Sequence, residues 1–162
     1  ISIPPSVCQI GKWAFNGCES LVKLIVPPSV KKIEEFAFQR CVKLEDIRFD
    51  ASINVIEQGL FKGCAKLVSF SIPESVTKIK KNAFHVCMAL KVVKFPKILT
   101  SIGDSAFNGC ICLDNLEIPQ SIKKIGVDAF SNCGSLKKIK IPKSFKNISN
   151  IGLNENIKTQ WY

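Results

Sequence analysis

The sequence predicts a right-handed α/β solenoid, in which each coil of the chain contributes one short parallel strand and returns through a compact turn of helical or 3₁₀ type. Three observations support this prediction: a fixed repeat length, a strand-like alternation of apolar and polar residues in each repeat, and a proline that ends each strand. Together they indicate stacked coils that share one continuous core, because no single coil can bury its apolar residues alone.

The repeat length is 23 residues, since the same residue types return at that interval along the chain. The leucine column consists of Leu21, Leu44, Leu67, Leu90, Leu113 and Leu136. The phenylalanine column consists of Phe15, Phe38, Phe61, Phe84, Phe107 and Phe130. The isoleucine column consists of Ile10, Ile33, Ile56, Ile79, Ile102, Ile125 and Ile148. A period of this size is typical of solenoids.

Each repeat begins with a strand pattern, as in the second coil. Leu24 and Val26 alternate with Lys23 and Ile25, so the first pair should point into the core and the second pair toward solvent. Pro27 follows at once and ends the strand, because proline cannot donate to a hydrogen-bond ladder. The strands are therefore short, with one in each coil.

Proline occupies this column in most coils, at Pro4, Pro27, Pro73, Pro96, Pro119 and Pro142. Asp50 is the exception, and the third coil also carries Leu60-Phe61 where other coils have Ala-Phe. The fifth coil has Ile98-Leu99 in place of Ser-Val. We expect the local shape to differ at these departures.

The array should comprise about six to seven coils over residues 1–148, with strands about 4.8 Å apart and a length on the order of 30 Å. Residues 149–162 lose the repeat pattern and are polar apart from a few residues such as Trp161 and Tyr162, which predicts a C-terminal cap or tail. The chain begins inside a repeat, so we expect further coils before Ile1 in the natural protein.

The cysteines are eight in number, and six of them form one column of the repeat: Cys18, Cys41, Cys64, Cys87, Cys110 and Cys133. In-register side chains point the same way, so these residues are predicted to be reduced core thiols. Zinc sites need close pairs such as C-x-x-C, which the sequence lacks, so no metal site is predicted. Cys8 and Cys112 lie outside the column.

The sequence gives little support for an enzyme. His85 is the single histidine, and it stands in an otherwise polar column, which predicts a surface side chain. The sequence contains no glycine-rich phosphate loop and no metalloprotease motif. The prediction is a non-enzymatic protein without a cofactor.

Lysine and arginine outnumber aspartate and glutamate by 23 to 13, which favours anionic partners. Many lysines follow the Ser-Val positions of the repeat and define a lysine stripe: Lys31, Lys32, Lys78, Lys80, Lys81, Lys123, Lys124 and Lys146. The stripe is a candidate site for an anionic glycan or acidic protein, and the alternative is an ordinary charged surface. Aromatic residues do not interleave with it, which argues against nucleic acid.

The outward positions of the strands define the strand face, whose residue types change from coil to coil. They are Lys23, Ile25, Asp46, Arg48, Ser69, Ser71, Val92, Lys94, Asn115, Glu117, Lys138 and Lys140. The exposed sheet of a repeat solenoid is rigid and continuous over several coils. We therefore predict that a partner binds here.

The repeat resembles the leucine-rich repeats of the BspA-like (Treponema pallidum type) class, whose signature is close to L-x-x-I-x-I-P-x-S-V-x-x-I-G-x-x-A-F-x-x-C. Residues 118–133 follow that signature almost residue for residue, as do residues 1–18. The resemblance covers nearly the whole chain. It implies the leucine-rich-repeat solenoid fold.

The resemblance also implies binding of a protein or glycan. Members occur in surface proteins of bacteria and of protists, and some are implicated in adhesion to host matrix or to other microbes. A surface or secreted adhesion module is therefore the leading hypothesis. An intracellular, cytoplasmic interaction scaffold is the main alternative, since a reducing compartment would keep the cysteines free; an anionic glycan receptor is the second alternative.

No apolar run reaches the roughly 20 residues that a membrane span needs, so no membrane insertion is predicted within this segment. Asn147-Ile148-Ser149 matches a glycosylation sequon, which we interpret as accidental.

Overall fold

The structure is a computed structural model that describes residues 1–145 and 150–162. Its strands in chain order are β1 (Gln9–Ile10), β2 (Lys23–Val26), β3 (Lys32–Ile33), β4 (Asp46–Phe49), β5 (Val55–Ile56), β6 (Ser69–Ser71), β7 (Lys78–Ile79), β8 (Val92–Lys94), β9 (Ser101–Ile102), β10 (Asn115–Glu117), β11 (Lys124–Ile125), β12 (Lys138–Ile141) and β13 (Lys158–Trp161). A 3₁₀ helix covers Lys143–Phe145.

The chain is a parallel β-solenoid, which confirms the predicted fold. Strands of adjacent coils pair in parallel and one repeat apart, as Leu24 does with Ile47 and Phe70 with Val93. The second extended piece of a coil forms a two-residue strand, in β1, β3, β5, β7, β9 and β11. These short strands pair in the same way, as Ile56 does with Ile79, except between β3 and β5. Each coil therefore contributes to two parallel sheets rather than one.

The core consists of columns of like residues, as the repeat predicted. Phe38, Phe61, Phe84, Phe107 and Phe130 are at most 1% exposed. Phe38 stacks on Phe61 with ring centroids 5.6 Å apart, and Phe84 stacks on Phe107 at 5.0 Å with ring planes 6° apart. The rings form one continuous aromatic column that includes Phe15.

The turn segment around the aromatic column differs from a helix, and its hydrogen bonds give the reason. Alternate N–H groups donate to the next coil, as Phe61 does to the Ala83 carbonyl at 2.8 Å. The N–H groups between them donate locally, as Lys62 does to Gly59. Because every second donor leaves the segment, no helical ladder forms there. The solenoid is therefore nearly all β, and the 3₁₀ helix is the one helical element in the described residues.

This segment also contains two left-handed positions in each coil, one of which holds Phe36 and Gly59 in successive coils. Phe36 adopts φ 59°, and its ring lies where a Cβ of Gly59 would be. Glycine suits residue 59 because the Phe36 ring leaves no room for a Cβ there, whereas the backbone angle alone is adopted by other residue types in this column.

The buried cysteines have a role that the sequence did not reveal. The Cys87 thiol donates to the Phe61 carbonyl of the preceding coil at 3.1 Å, and Cys41, Cys64, Cys110 and Cys133 repeat this contact. All eight cysteines are free thiols, as predicted for the column. Burial raises the pKa of Cys41 to about 11 and that of Cys133 to about 12. The thiol column therefore links coils as well as filling space.

The strand-face sheet is interrupted twice, between β4 and β6 and between β8 and β10. Phe49 lies at the end of β4 and Phe95 follows β8, in a column that holds Val26 and Ile72 in the other coils of this region. Phe49 packs edge-on against Phe61 at 6.0 Å, and Phe95 packs the same way against Phe107 at 5.7 Å. We attribute each seam to this larger ring, which separates its strand from the following one.

The C-terminal segment contains β13, which pairs in parallel with β12 so that Ile139 faces Thr159. Ile151 and Ile157 are buried, and the Tyr162 hydroxyl donates to the Ile118 carbonyl. The polar segment thus ends in an ordered strand, which sequence pattern alone did not indicate. Its role as a cap stays a prediction.

Some predictions fall on residues 146–149, which lie outside the described residues. They are the isoleucine column at Ile148, the stripe lysine Lys146, the sequon Asn147-Ile148-Ser149 and the boundary between array and cap. In the part of the chain that the structure describes, no helix has the length and apolarity that crossing a membrane requires.

Candidate binding surface

The strand face has the exposure that its sequence pattern predicted. Eleven of its twelve predicted residues are exposed, and Lys140 is half-buried. In β2 the inward Leu24 and Val26 are buried, whereas Ile25 is 50% exposed. The twelve side chains therefore share one outer surface, and binding through them stays a prediction.

A cavity of about 370 Å³ lies over β2, β4 and β6, at the first seam. We call it the β2–β6 cavity. Its polar lining comprises Lys23, Asp46, Arg48, Ser69 and Ser71, and its apolar lining comprises Leu24, Ile25, Ile47 and Phe49. Five of the twelve predicted strand-face residues are thus polar neighbours within one cavity.

Arg48 is the best-positioned cation of this cavity. Its Nη2 donates to Asp50 Oδ2 at 2.9 Å, and that hydrogen bond raises the pKa of the guanidinium. The arginine side chain is 65% exposed, so it is oriented by Asp50 and yet accessible to a ligand. Asp50 is the residue that replaces the column proline, so this sequence departure has a structural consequence at the site.

The opposite end of the strand face is positively charged. Lys138 of β12 faces Lys158 of β13 in register, and Asn115 lies on the other side of Lys138. Like charges directly opposite on a sheet repel each other. Lys140 is compensated by Glu117 at 3.5 Å. Lys158 was missed from the sequence, because the segment that contains it shows no repeat pattern.

The lysine stripe is less uniform than predicted. All seven of its described lysines are exposed: Lys31, Lys32, Lys78, Lys80, Lys81, Lys123 and Lys124. Lys32 pairs with Glu34 at 2.7 Å and Lys80 with Glu57 at 2.6 Å, and Lys31 donates to the Pro28 carbonyl. In register, Lys78 has Val55 and Ser101 as neighbours, so the charges are not consecutive along the sheet. Anion binding there stays a prediction.

An aromatic pair that the sequence analysis did not select lies near the carboxylates that neighbour the lysine stripe. Trp13 stacks on Phe36 at 6.0 Å and is 52% exposed. The Lys12 ammonium lies 4.7 Å from the Trp13 ring centroid and also pairs with Glu35 at 3.0 Å. These interactions occupy the lysine, so the cluster is already internally compensated.

His85 is half-buried rather than a surface side chain. Burial lowers its pKa, with the nearby Lys62 charge as the second cause. Its Nδ1 has no partner among the described residues. Groups of three or more metal-ligating side chains do not occur in residues 1–145 and 150–162.

Comparison with known proteins identifies the repeat. A family model described as "BspA type Leucine rich repeat region (6 copies)" matches residues 1–110 and 77–160. Comparison with curated proteins finds no match.

Two solved structures are similar in fold. A leucine-rich repeat protein from Eubacterium ventriosum is 23% identical with a TM-score of 0.72, over 82% of this chain and 42% of that chain. The Treponema pallidum Leucine Rich Repeat protein is 26% identical with a TM-score of 0.57, over 99% of this chain and 72% of that chain. The chain therefore spans less than half of the E. ventriosum protein.

Proposed function

Since this chain belongs to the family of BspA-type leucine-rich repeat proteins, we propose that it is a surface or secreted adhesion module that recognises a host or microbial protein or glycan through its strand face. Repeat families of this kind are typically non-enzymatic binding proteins, and protein binding is the role that the family suggests. The strand face is the observation on which the proposal depends: an exposed surface carried by a buried, regularly stacked core.

The chemistry of the strand face supports a specific contact rather than a general charged surface. The β2–β6 cavity combines cations, a carboxylate and hydroxyls within one depression. The positively charged end around Lys138 and Lys158 lies several coils away on the same face. A partner that bridges both regions would be large, which favours a macromolecule over a small molecule.

Two alternatives have their own support. An intracellular scaffold would keep its thiols reduced, and the buried thiol column is compatible with that environment. An anionic glycan receptor that uses the lysine stripe is favoured less by the geometry, because Lys32 and Lys80 are already paired with carboxylates.

The experiment is a binding screen of the purified chain against immobilised matrix proteins and glycans, followed by charge-reversal variants. We expect Arg48→Glu and Lys138→Glu to reduce binding by tenfold or more, since each replaces an exposed cation of the strand face. Lys124→Glu, in β11 of the other sheet, is the matched control and should leave binding unchanged. Loss of binding in the control variant alone would indicate that the partner binds the lysine stripe, and this result would contradict the proposal.

A further inference from the structure

We propose that the β2–β6 cavity binds a carboxylate-bearing sugar unit, of the uronic acid class, within a glycan ligand. This inference rests on the proposed function, because it names the ligand class for one part of the strand face. It goes beyond that function in committing to one sugar chemistry at one place.

The charges of the cavity favour one carboxylate in the ligand. Lys23 and Arg48 supply two cations, and Asp46 supplies one carboxylate. Lys23 and Asp46 face each other in register, yet neither forms an ion pair within residues 1–145 and 150–162. Asp50, which lies outside the lining, offsets the charge of Arg48. The Lys23 ammonium and the N–H donors that Arg48 retains are therefore the groups that favour a ligand carboxylate.

Arg48 is oriented for this role before a ligand arrives. Its one side-chain hydrogen bond in the described residues is to Asp50, through Nη2. The remaining N–H donors of the guanidinium can form charge-assisted bonds to a ligand carboxylate. The proline found in the other coils could not have held the arginine in this way, since it has no side-chain acceptor.

The two serines and the seam provide the space and the hydroxyl partners. Ser69 and Ser71 follow Asp46 and Arg48 in the next coil, and their short side chains leave a depression beside the longer ones. Ile25 and the half-buried Phe49 give the cavity apolar surface. A sugar ring has both hydroxyls and an apolar C–H face, so it can use both kinds of lining.

Asp46 distinguishes a sugar from an acidic peptide. In an acidic peptide the N–H donors belong to the backbone, and a flexible glutamate side chain separates them from the carboxylate. A uronic acid carries hydroxyl donors on the same ring as its carboxylate. It can therefore bond Arg48 through the carboxylate and Asp46 through a hydroxyl at the same time.

The test uses ¹⁵N-labelled protein titrated with methyl β-D-glucuronide, with methyl β-D-glucoside as the neutral match. We expect the glucuronide to bind with a Kd on the order of 1 mM, as suits one sugar unit, and to shift the amide signals of β4 and β6. The glucoside should bind at least about tenfold more weakly, because it lacks the charged partner of Arg48. Equal affinity for the two sugars, or no binding of either, would overturn the inference.

Variants locate the site. Arg48→Gln should weaken glucuronide binding by about tenfold or more, whereas Lys94→Gln, an exposed lysine of the same face outside the cavity, should not change it. If Lys94→Gln weakened glucuronide binding as much as Arg48→Gln did, the attraction would be a general effect of surface charge and not binding at a defined site.

An acidic peptide serves as a second probe, because it tests whether the cavity prefers a sugar or a peptide carboxylate. The peptide N-acetyl-Gly-Glu-Gly-amide should bind more weakly than the glucuronide, and tighter binding of the peptide would overturn the sugar assignment.

Macromolecular binding that is lost in Lys138→Glu but kept in Arg48→Gln would support binding through the strand face and exclude the cavity from the macromolecular binding site. Glucuronide binding at Arg48 without any macromolecular binding in the screen would support the sugar site and contradict the proposed function.

Discussion

The turn side of the solenoid and its strand face are built from the same repeat but differ in regularity. On the turn side, the aromatic column and the inter-coil hydrogen bonds continue from coil to coil. On the strand face, the sheet divides at two seams and the outward residues change in every coil. The difference shows that the contacts on the turn side hold the coils together. The strand face can therefore vary its residue types and even lose strand-to-strand hydrogen bonds.

The regular side should carry most of the stability. Each inner Phe ring of the column contacts the rings above and below it, and each column thiol from Cys41 to Cys133 bonds back to a Phe carbonyl. Aromatic rings are the largest buried side chains in this core. Their burial and stacking contribute more per residue than the exposed side chains of the strand face can.

The largest expected effect is that of Phe84→Ala, at the centre of the aromatic column. Phe84 is 0% exposed and stacks on both neighbours, so its loss should lower the free energy of unfolding by about 3–5 kcal/mol. Urea unfolding followed by circular dichroism measures it. Phe95→Ala is the matched control from a strand-face seam; its ring is only partly buried, so we expect a smaller loss of about 1–2 kcal/mol. Equal losses would contradict the distinction between the two sides.

The thiol column predicts destabilisation at alkaline pH. Burial raises the pKa of Cys41 from 9.0 to about 11 and that of Cys133 to about 12. The folded chain therefore holds these protons more firmly than the unfolded chain, so the stabilisation is complete below pH 9 and is lost between about pH 9 and 12. Each such thiol should add up to about 1.4 kcal/mol per pH unit to the fall.

Urea midpoints at pH 8, 9 and 10 in the presence of reductant measure this fall. A Cys41→Ala variant, which lacks one titrating thiol, should show a shallower decline than the parent chain. A decline of the same slope in both chains would assign the effect to lysine deprotonation instead.

A smaller effect is expected at the first seam. Phe49→Val introduces the residue that Val26 provides in the same column, and the smaller side chain should let β4 and β6 approach and pair. We expect slower amide exchange in β6, together with a change in unfolding free energy of less than about 2 kcal/mol, since Phe49 is only half-buried. Unchanged exchange in β6 would mean that the ring is not the cause of the seam.

The smallest effect on stability is expected for the strand-face charges. Arg48→Gln and Lys138→Gln replace exposed side chains, so each should alter the unfolding free energy by no more than about 0.5 kcal/mol. Thermal melts measure this change beside the binding assays. A loss as large as that of Phe84→Ala would show that these residues support the fold rather than recognition.

Sequence was sufficient for the fold because the solenoid depends on local periodicity. The 23-residue interval placed Phe38, Phe61 and Phe84 in one column, and the alternation in β2 assigned inside and outside correctly. The helical turn was not predicted correctly in detail. Every second N–H group of this turn donates to the next coil, and hydrogen bonds between coils cannot be predicted from the residue pattern within one coil.

The site could be predicted only as a surface. Exposure of Arg48 and Ser69 followed from alternation, but the cavity that joins them depends on ring size at Phe49 and on the pairing of Asp50, which are contacts between columns. Lys158 was missed because β13 is held by pairing with β12 and not by a repeat motif. Periodicity reports what coils share, whereas recognition depends on what differs between them.

Amide hydrogen exchange resolved by residue tests the central claim most directly. If stacking is secured on the turn side, the amides of Phe38, Phe61, Phe84 and Phe107 will be protected alike across all coils, since each donates to the next coil. Protection on the strand face will divide into three groups at the two seams. Rapid exchange of the Phe amides, or protection on the strand face that runs unbroken across both seams, would contradict the account.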